Sequence, residues 1–374
     1  MLKKENKLKS LLTKWTWKKF IITVLLTLVV SLAVIFFIFA NRANSTLNNI
    51  TGENNSIFET ARTFLPGKKV MLNNENGRTN ILILGMRGEN DPHGGTLTDS
   101  IIILSIDQNT NKAAMISIPR DLRVTIPGYK GFVKLNAAHA LGQDNDGKGL
   151  EYTKSTLAEA TGMQIHYGAT IDFTAFKGII DALDGITVDA AEDFYDPNYE
   201  GGIRVKKGLN EMDSDRALKY VWARLSTSDF DRSRRQREVI NAIKNKAEAK
   251  GIFTNPIFLL ETLESLGNHV KTDMSVDEMK KALDLVGKLD LSSIIEKGYD
   301  TSADGPFTSK TDKSLGYIII PRAGNFTVFQ KDIQGIFGVS SEPQEVNEIT
   351  GDETKTLEES EETVEEEQPN QKTL

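Results

Sequence analysis

The stretch NILILGMRGENDPHGGTLTDSIIILSIDQNTNKAAMISIPR (80–120) decides the fold. Within it NILILG (80–85), IIILSID (101–107) and KAAMISI (112–118) are short, rich in isoleucine and apolar almost throughout. Apolar runs this short suit strands buried on both faces. Only QNTN separates the second run from the third, which predicts a hairpin. Two more strands are expected at IHYGATI (165–171) and GITVDA (185–190). Between these the period changes. Phe176, Ile179, Ile180 and Leu183 fall at i, i+3, i+4 and i+7, a helix that Asp172 or Thr174 can cap and Gly185 can close. Strand, helix, strand in this order predicts an α/β fold, an α/β/α sandwich with a central mixed β-sheet. Further helices are predicted over 214–225, opened by Asp213, over 231–250, opened by Asp231 with Ile240, Ile243 and Ala247 as its buried stripe, and over 277–287. A last strand is expected at GYIIIP (316–321). No linker interrupts 79–338, so these residues are expected to form one domain.

The chain has 374 residues and a net charge of −7, unevenly spread. Residues 1–19 carry +6, the tail 341–374 carries −10, and the middle is left near neutral at −3. Residues 20–40, FIITVLLTLVVSLAVIFFIFA, hold no charge. About 20 apolar residues cross a hydrocarbon core of roughly 30 Å. Trp15 and Trp17 suit the headgroup region, and Lys14, Lys18 and Lys19 hold that end in the cytoplasm. The expectation is an uncleaved transmembrane helix at 20–40 after a basic cytoplasmic segment at 1–19. A stalk with one short helix follows at 41–78, and everything beyond the anchor lies outside the cytoplasm. That topology, with the near-neutral middle, disfavours nucleic acid as a partner. The tail has few large apolar residues and is expected to be disordered.

With no cysteine, disulfide frameworks, cysteine nucleophiles and cysteine-ligated metal centres are excluded. The four histidines are scattered and form no HExxH, and neither GxxxxGK[ST] nor GxSxG occurs. The chemistry-bearing residues lie elsewhere. The loop after the first strand, MRGENDPHGGTLTDS (86–100), has Gly94-Gly95 for close backbone approach and ends on Asp99 at the mouth of the next strand. The third strand runs into Pro119-Arg120-Asp121, with Arg123 just beyond. ARLSTSDFDRSRRQRE (223–238) is the densest basic cluster, and its Arg232, Arg235 and Gln236 share one helix face near an N-terminus that attracts anions. Arg224, at the end of the preceding helix, can point to the same place. Arginine forks with one lone aspartate suggest a phosphate or diphosphate site, with Asp99 able to hold a hard cation such as Mg2+ or Mn2+. The competing reading is a solvated helix face with ordinary pairs such as Arg234–Glu238.

Four ordered blocks carry a resemblance: GTLTDSIIILSIDQNTNKAAMISIPRDLRV (95–124), KLNAAHALG (134–142), IHYGATIDFTAFKGIIDALDGITVDA (165–190) and ALKYVWARLSTSDFDRSRRQREV (217–239). Together they closely resemble the LytR–CpsA–Psr family, the cell-envelope-related transcriptional attenuators, most strongly over residues 80–246. The resemblance implies a membrane-tethered phosphotransferase that moves a glycopolymer, such as teichoic acid or capsule, from a polyprenyl-diphosphate carrier to peptidoglycan. It implies an α/β/α fold with the lipid in an apolar pocket and the diphosphate held by arginines and Mg2+. Asp99 matches the family's metal-binding aspartate and Arg120 the arginine of its PRD block. Arg224, Arg232, Arg235 and Gln236 match its R…DFxRxxRQ block, with Asp229 as the aspartate of DFxR. Catalytic roles are thereby implied for Arg120, Arg224, Arg232 and Asp229, and diphosphate binding for these arginines with Arg123, Arg235 and Gln236. The stripe Phe176, Ile179, Ile180 and Leu183 is a candidate lipid-pocket wall, with core packing its alternative use. A diphosphatase using water as acceptor, or a non-enzymatic envelope regulator that binds a lipid-linked ligand, would use the same site.

Two positions depart from the pattern. Many members carry a second aspartate two residues after the glycine that ends the first strand, where this chain has Arg87. Glu89 and Asp91 are close enough in sequence to supply a shifted second metal ligand. The family often reads YxRxR before DFxR, and Trp222 stands where the first arginine would be. Either a residue is lost from the anion site or the aromatic is used differently.

Overall fold

Strand β1 (Arg78–Gly88) pairs antiparallel with β2 (Gly95–Asp107), Ile81 facing Leu104 and Ile83 facing Ile102. The predicted hairpin joins β2 to β3 (Lys112–Ser117), closing at the Asp107–Lys112 pair. Asp107 holds its turn by accepting from the Asn109 and Thr110 backbone N–H groups at 2.8 and 3.3 Å. The structure is a computed structural model. It describes residues 31, 37–52, 56, 71–88, 91, 95–145, 147–198, 202–223, 229–251, 262, 264–289 and 293–338. The acidic tail and most of the expected transmembrane segment lie outside these. Among the described residues no helix is long and apolar enough to cross a membrane.

Helix α1 (37–51) occupies part of the expected anchor and stalk. It buries Ala43 and Leu47 against Val276, and Arg42 reaches Glu264 at 2.7 Å. After β3 come the short pair β4 (Arg123–Val124) and β5 (Val133–Lys134), then α2 (Ala138–Asp144) and α3 (Gly149–Thr161). Strand β6 (Tyr167–Ile171) lies parallel to β1 and leads into α4 (Phe173–Ala182). Asp172 caps α4, accepting from Ala175 N at 2.9 Å, and the chain leaves the helix through left-handed Asp184 and Gly185.

Next follow β7 (Ile186–Ala190), β8 (Phe194–Asp196), β9 (Ile203–Val205), β10 (Gly208–Met212), α5 (Ser214–Trp222) and α6 (Asp229–Ala249). Then come β11 (Val270–Thr272), α7 (Val276–Val286), β12 (Ile295–Gly298), β13 (Phe307–Asp312), β14 (Gly316–Pro321) and α8 (Thr327–Gln334). The main sheet is mixed, in the order β11-β6-β1-β2-β3-β12. Strand β7 is not in it. The outer edge of β6 is taken by antiparallel β11, so the strand expected at 185–190 pairs with β10 in a separate ribbon.

Alternation on β1 builds both faces of the sheet. Leu82 and Leu84 join Ile101, Ile103 and Ile116 under Leu157 of α3 and Phe329 of α8. Ile81 faces the other way, with Ile106 and Leu285 of α7. A second core gathers α4, the β7–β10 ribbons, α5 and α6 around Ile180, Val188, Tyr220 and Val239. Ile180 and Leu183 are buried in this core, and Phe176 and Ile179 pack against it half-buried.

Polar groups tie the strand starts together. Asn80 donates its N–H to His166 Nδ1 at 3.0 Å, and its side chain accepts from Ser105 Oγ at 2.7 Å. Burial lowers the His166 pKa from its ordinary value. An imidazole held neutral in the fold must be charged at the expense of stability once pH falls below its unfolded value, about 6.5. Stability is therefore complete above that pH and declines below it. We expect the urea midpoint to fall between pH 7.5 and 5.5, and to fall less in His166→Gln; equal declines in the two proteins would refute this.

Candidate active site

The site is set by an irregularity in the β1–β2 ladder. Gly85 pairs with Ser100, but Met86 pairs with Thr98, so Asp99 is an extra residue on β2. A bulge of this kind re-aims side chains that regular alternation would separate. The carboxylate of Asp99 accepts from Arg120 Nη1 at 2.5 Å, and its backbone carbonyl accepts from Arg232 Nη2 at 2.9 Å. Beside it Ser100 Oγ donates to Gln236 Oε1 at 2.9 Å. Arg232 and Gln236, one turn apart on α6, thus hold consecutive residues of the bulged strand.

Arg120 is delivered by the end of β3. Ile118 N still bonds Ile101 O at 2.9 Å, and Pro119 then turns the chain away from the sheet. The Arg120 carbonyl accepts from Asn136 N at 3.0 Å, while its Nε lies 3.5 Å from Asp121. Asp121 is shared with Lys134 at 2.8 Å. Two guanidiniums from distant parts of the chain therefore converge on Asp99 at one end of the central strands, where open α/β sheets bind ligands.

Helix α6 begins at Asp229 rather than Asp231, and its buried stripe runs Arg232, Arg235, Val239, Ala242 and Ala247. Ile240 and Ile243 are only half-buried, so of the expected stripe Ala247 alone is fully inside. The first two turns of the stripe are arginines, each 2% exposed. Burial at that level is rare for arginine and requires partners. Arg235 donates from Nε to Tyr220 O at 2.8 Å and from Nη2 to Ala223 O at 2.6 Å. Its guanidinium lies 4.3 Å over the Phe194 ring. Burial lowers its pKa from the ordinary guanidinium value. Although grouped by sequence with the anion-binding residues, Arg235 serves here to clamp the end of α5 and seat α6.

Other expected residues separate in the same way. Arg123 stacks over Phe132 at 4.3 Å on the β4–β5 pair, and none of its described contacts is with Asp99, Arg120 or Arg232. Arg224 and the side chain of Asp229 lie outside the described residues. Arg234 behaves as a solvated-face residue, paired with Glu192 at 3.1 Å and with Asp231 and Glu238 at longer range. Residues not singled out by the sequence also act here. Arg237 bonds Ser117 Oγ at 3.0 Å and Glu296 at 3.3 Å, tying α6 to β3 and β12. Its place inside the basic cluster 223–238 is a signal that was available.

The donor set does not by itself make a cation site. The Asp99 carboxylate is engaged by Arg120, and Asp91 lies 3.7 Å from Arg87. Among the described residues no three acidic or histidine side chains gather closely enough to hold a metal ion. Mg2+ is held by one or two carboxylates with water and substrate phosphate filling its shell, and among the described residues Asp99 and Asp91 would supply them.

A cavity of about 640 Å3 abuts the same strand ends, lined by Met86, Gly88, Thr96, His139, Asp172 and His269 among others. Asp172, besides capping α4, holds His269 Nδ1 at 2.6 Å. None of Phe176, Ile179, Ile180 or Leu183 lines it.

The Arg235 clamp predicts a stability effect separable from chemistry. Charge-assisted hydrogen bonds contribute about 1.5–3 kcal/mol each, and here two of them and a stacked ring are lost together. Arg235→Ala is expected to cost about 3–5 kcal/mol by urea denaturation; a loss below about 1 kcal/mol would refute the clamp.

Comparison with known proteins agrees with this architecture. The LytR_cpsA_psr family model matches residues 34–299. The polyisoprenyl-teichoic acid–peptidoglycan teichoic acid transferase TagU of Oceanobacillus iheyensis is 35% identical over 213 residues, 56% of this chain and 63% of that protein. The like-named transferase TagT of Bacillus subtilis is 26% identical over 323 residues, 83% of this chain and 92% of that protein. Among solved structures, B. subtilis TagV superposes with a TM-score of 0.55 at 25% identity, covering 71% of this chain and 98% of TagV. The chain belongs to the LytR_cpsA_psr family.

Proposed function

We propose that this protein is a membrane-anchored phosphotransferase. It moves a glycopolymer of the teichoic acid or capsule class from a polyprenyl-diphosphate carrier to peptidoglycan, on the outer side of the cytoplasmic membrane. The observation that carries the reading is the convergence of Arg120 and Arg232 on Asp99 at the β2 bulge. It is joined by the similarity to TagU and TagT, both named as teichoic acid transferases. The uncharged run at 20–40 and the lysines before it support the anchor and its orientation.

In this reading a peptidoglycan hydroxyl oxygen attacks the phosphorus that bears the glycopolymer. The new P–O bond forms as the bond to the polyprenyl phosphate breaks, and polyprenyl monophosphate leaves. The hydroxyl proton passes to a carboxylate at the site. Phosphoryl transfer depends on positioning and charge neutralisation more than on covalent help from the protein. The Arg120 guanidinium matches phosphate oxygens in geometry and charge. Arg232, fixed by the Asp99 carbonyl, adds positive potential from within the fold, where it is screened less than at a surface. Asp99 keeps Arg120 aligned before substrate arrives. No step is assigned to a divalent cation.

The test uses the full chain in detergent with a lipid-diphosphate-linked saccharide and a peptidoglycan fragment. Conjugate formation with release of lipid monophosphate is the expected result. Phosphate release without conjugate would replace the reading with a diphosphatase, and binding without turnover with a non-enzymatic envelope factor. Arg120→Ala, at a partly exposed position, should fold normally and lose about 100-fold or more in turnover. Arg232→Ala should lose at least as much and also lower stability. Wild-type rates in Arg120→Ala would remove the assigned site.

A further inference from the structure

Arg87 and Trp222, 135 positions apart in the sequence, meet in space. The Arg87 guanidinium carbon lies 4.4 Å from the centroid of the Trp222 ring. Arg87 sits on β1 between Met86, which faces Thr98, and Gly88, which faces Gly95. Two residues before it Gly85 pairs with Ser100, which holds Gln236 of α6, and the ladder shifts register again between Met86 and Gly88. On the neighbouring strand the bulged Asp99 lies between Ser100 and Thr98, the partners of Gly85 and Met86, so Arg87 and Asp99 share the same irregular end of the β1–β2 ladder.

Its platform is rigid. Trp222 ends α5 and is braced edge-on by Phe173, with ring centroids 5.8 Å apart. The next residue, Ala223, gives its carbonyl to Arg235. A guanidinium laid on an indole offers its π-face to the ring and keeps its N–H fork directed outward in the plane. Arg87 also forms an ion pair with Asp91 at 3.7 Å, too long for a direct hydrogen bond.

We infer that Arg87, held flat on Trp222, binds the diphosphate of the lipid carrier and supplies a third guanidinium beside Arg120 and Arg232. The inference rests on the phosphotransferase reading above. The aromatic at 222 fixes the orientation of the guanidinium, which meets the diphosphate directly.

The experiment measures binding of farnesyl diphosphate and farnesyl monophosphate to the full chain in detergent by calorimetry. Arg87→Ala should weaken the diphosphate about tenfold or more and the monophosphate by less than roughly threefold. Trp222→Leu should reproduce that loss, and the double variant should be no worse than either, because each change removes the same oriented fork. Trp222→Phe should retain most of the affinity, and Arg87→Lys should fall between wild type and Arg87→Ala. Diphosphate affinity within about twofold of wild type in Arg87→Ala would overturn the inference, as would losses that multiply in the double variant. Failure of the wild type to bind farnesyl diphosphate would sink this inference together with the phosphotransferase reading. Loss of binding in Arg120→Ala with none in Arg87→Ala would sink this inference alone.

Discussion

The structure turns on the junction between the bulge of β2 and the first turns of α6. Arg232 and Gln236 hold the Asp99 carbonyl and the Ser100 hydroxyl, so a helix of the second core is fixed to the central strands of the first. Without the extra residue, Asp99 and Ser100 would follow strict alternation and point to opposite faces. With it, one turn of helix reaches both, and the Asp99 carboxylate is left to align Arg120. The site is therefore a consequence of register. It exists because a ladder regular from Arg78 to Gly85 is broken beyond that residue, first at Asp99 and again before Gly88.

The same junction explains why α6 can afford arginines where other helices carry isoleucine. Buried guanidiniums are costly unless their donors are met. Arg235 finds the carbonyls at the end of α5, groups that no intrahelical bond satisfies and that would otherwise need water. Arg232 finds the carbonyl of the bulged residue. Each arginine answers a backbone defect with a charge, at the end of a helix in one case and at a strand irregularity in the other. The two cores are thereby joined through polar bonds whose geometry is directional, which suits a site that must be held in register better than apolar contact alone would.

Much of this was legible in the chain. Continuous apolar runs at 80–85, 101–107 and 112–118 specified central strands, and the four-residue QNTN turn specified the hairpin. Asp172 and Asp213 were readable as caps because their side chains are the right type before the right periodicity. What escaped was phase and depth. Counting only apolar residues places the stripe of α6 on Ile240, Ile243 and Ala247; the buried face keeps Ala247 but runs through Val239 and Ala242 and begins with Arg232 and Arg235. Arg232, Arg235 and Gln236 share a helix face, but sequence spacing does not show that one guanidinium faces the sheet and another faces α5. The strand at 186–190 was recognised and its sheet was not, since β11, some 80 residues later, takes the edge of β6.

Arg87 and Trp222 show a different limit. They are 135 positions apart, and nothing local links them. The fold brings the end of β1 against the end of α5, where the guanidinium lies over the indole. The π-face of the indole favours a cation and offers a carboxylate nothing, so position 87 is set for positive charge by a residue that only the fold places beside it.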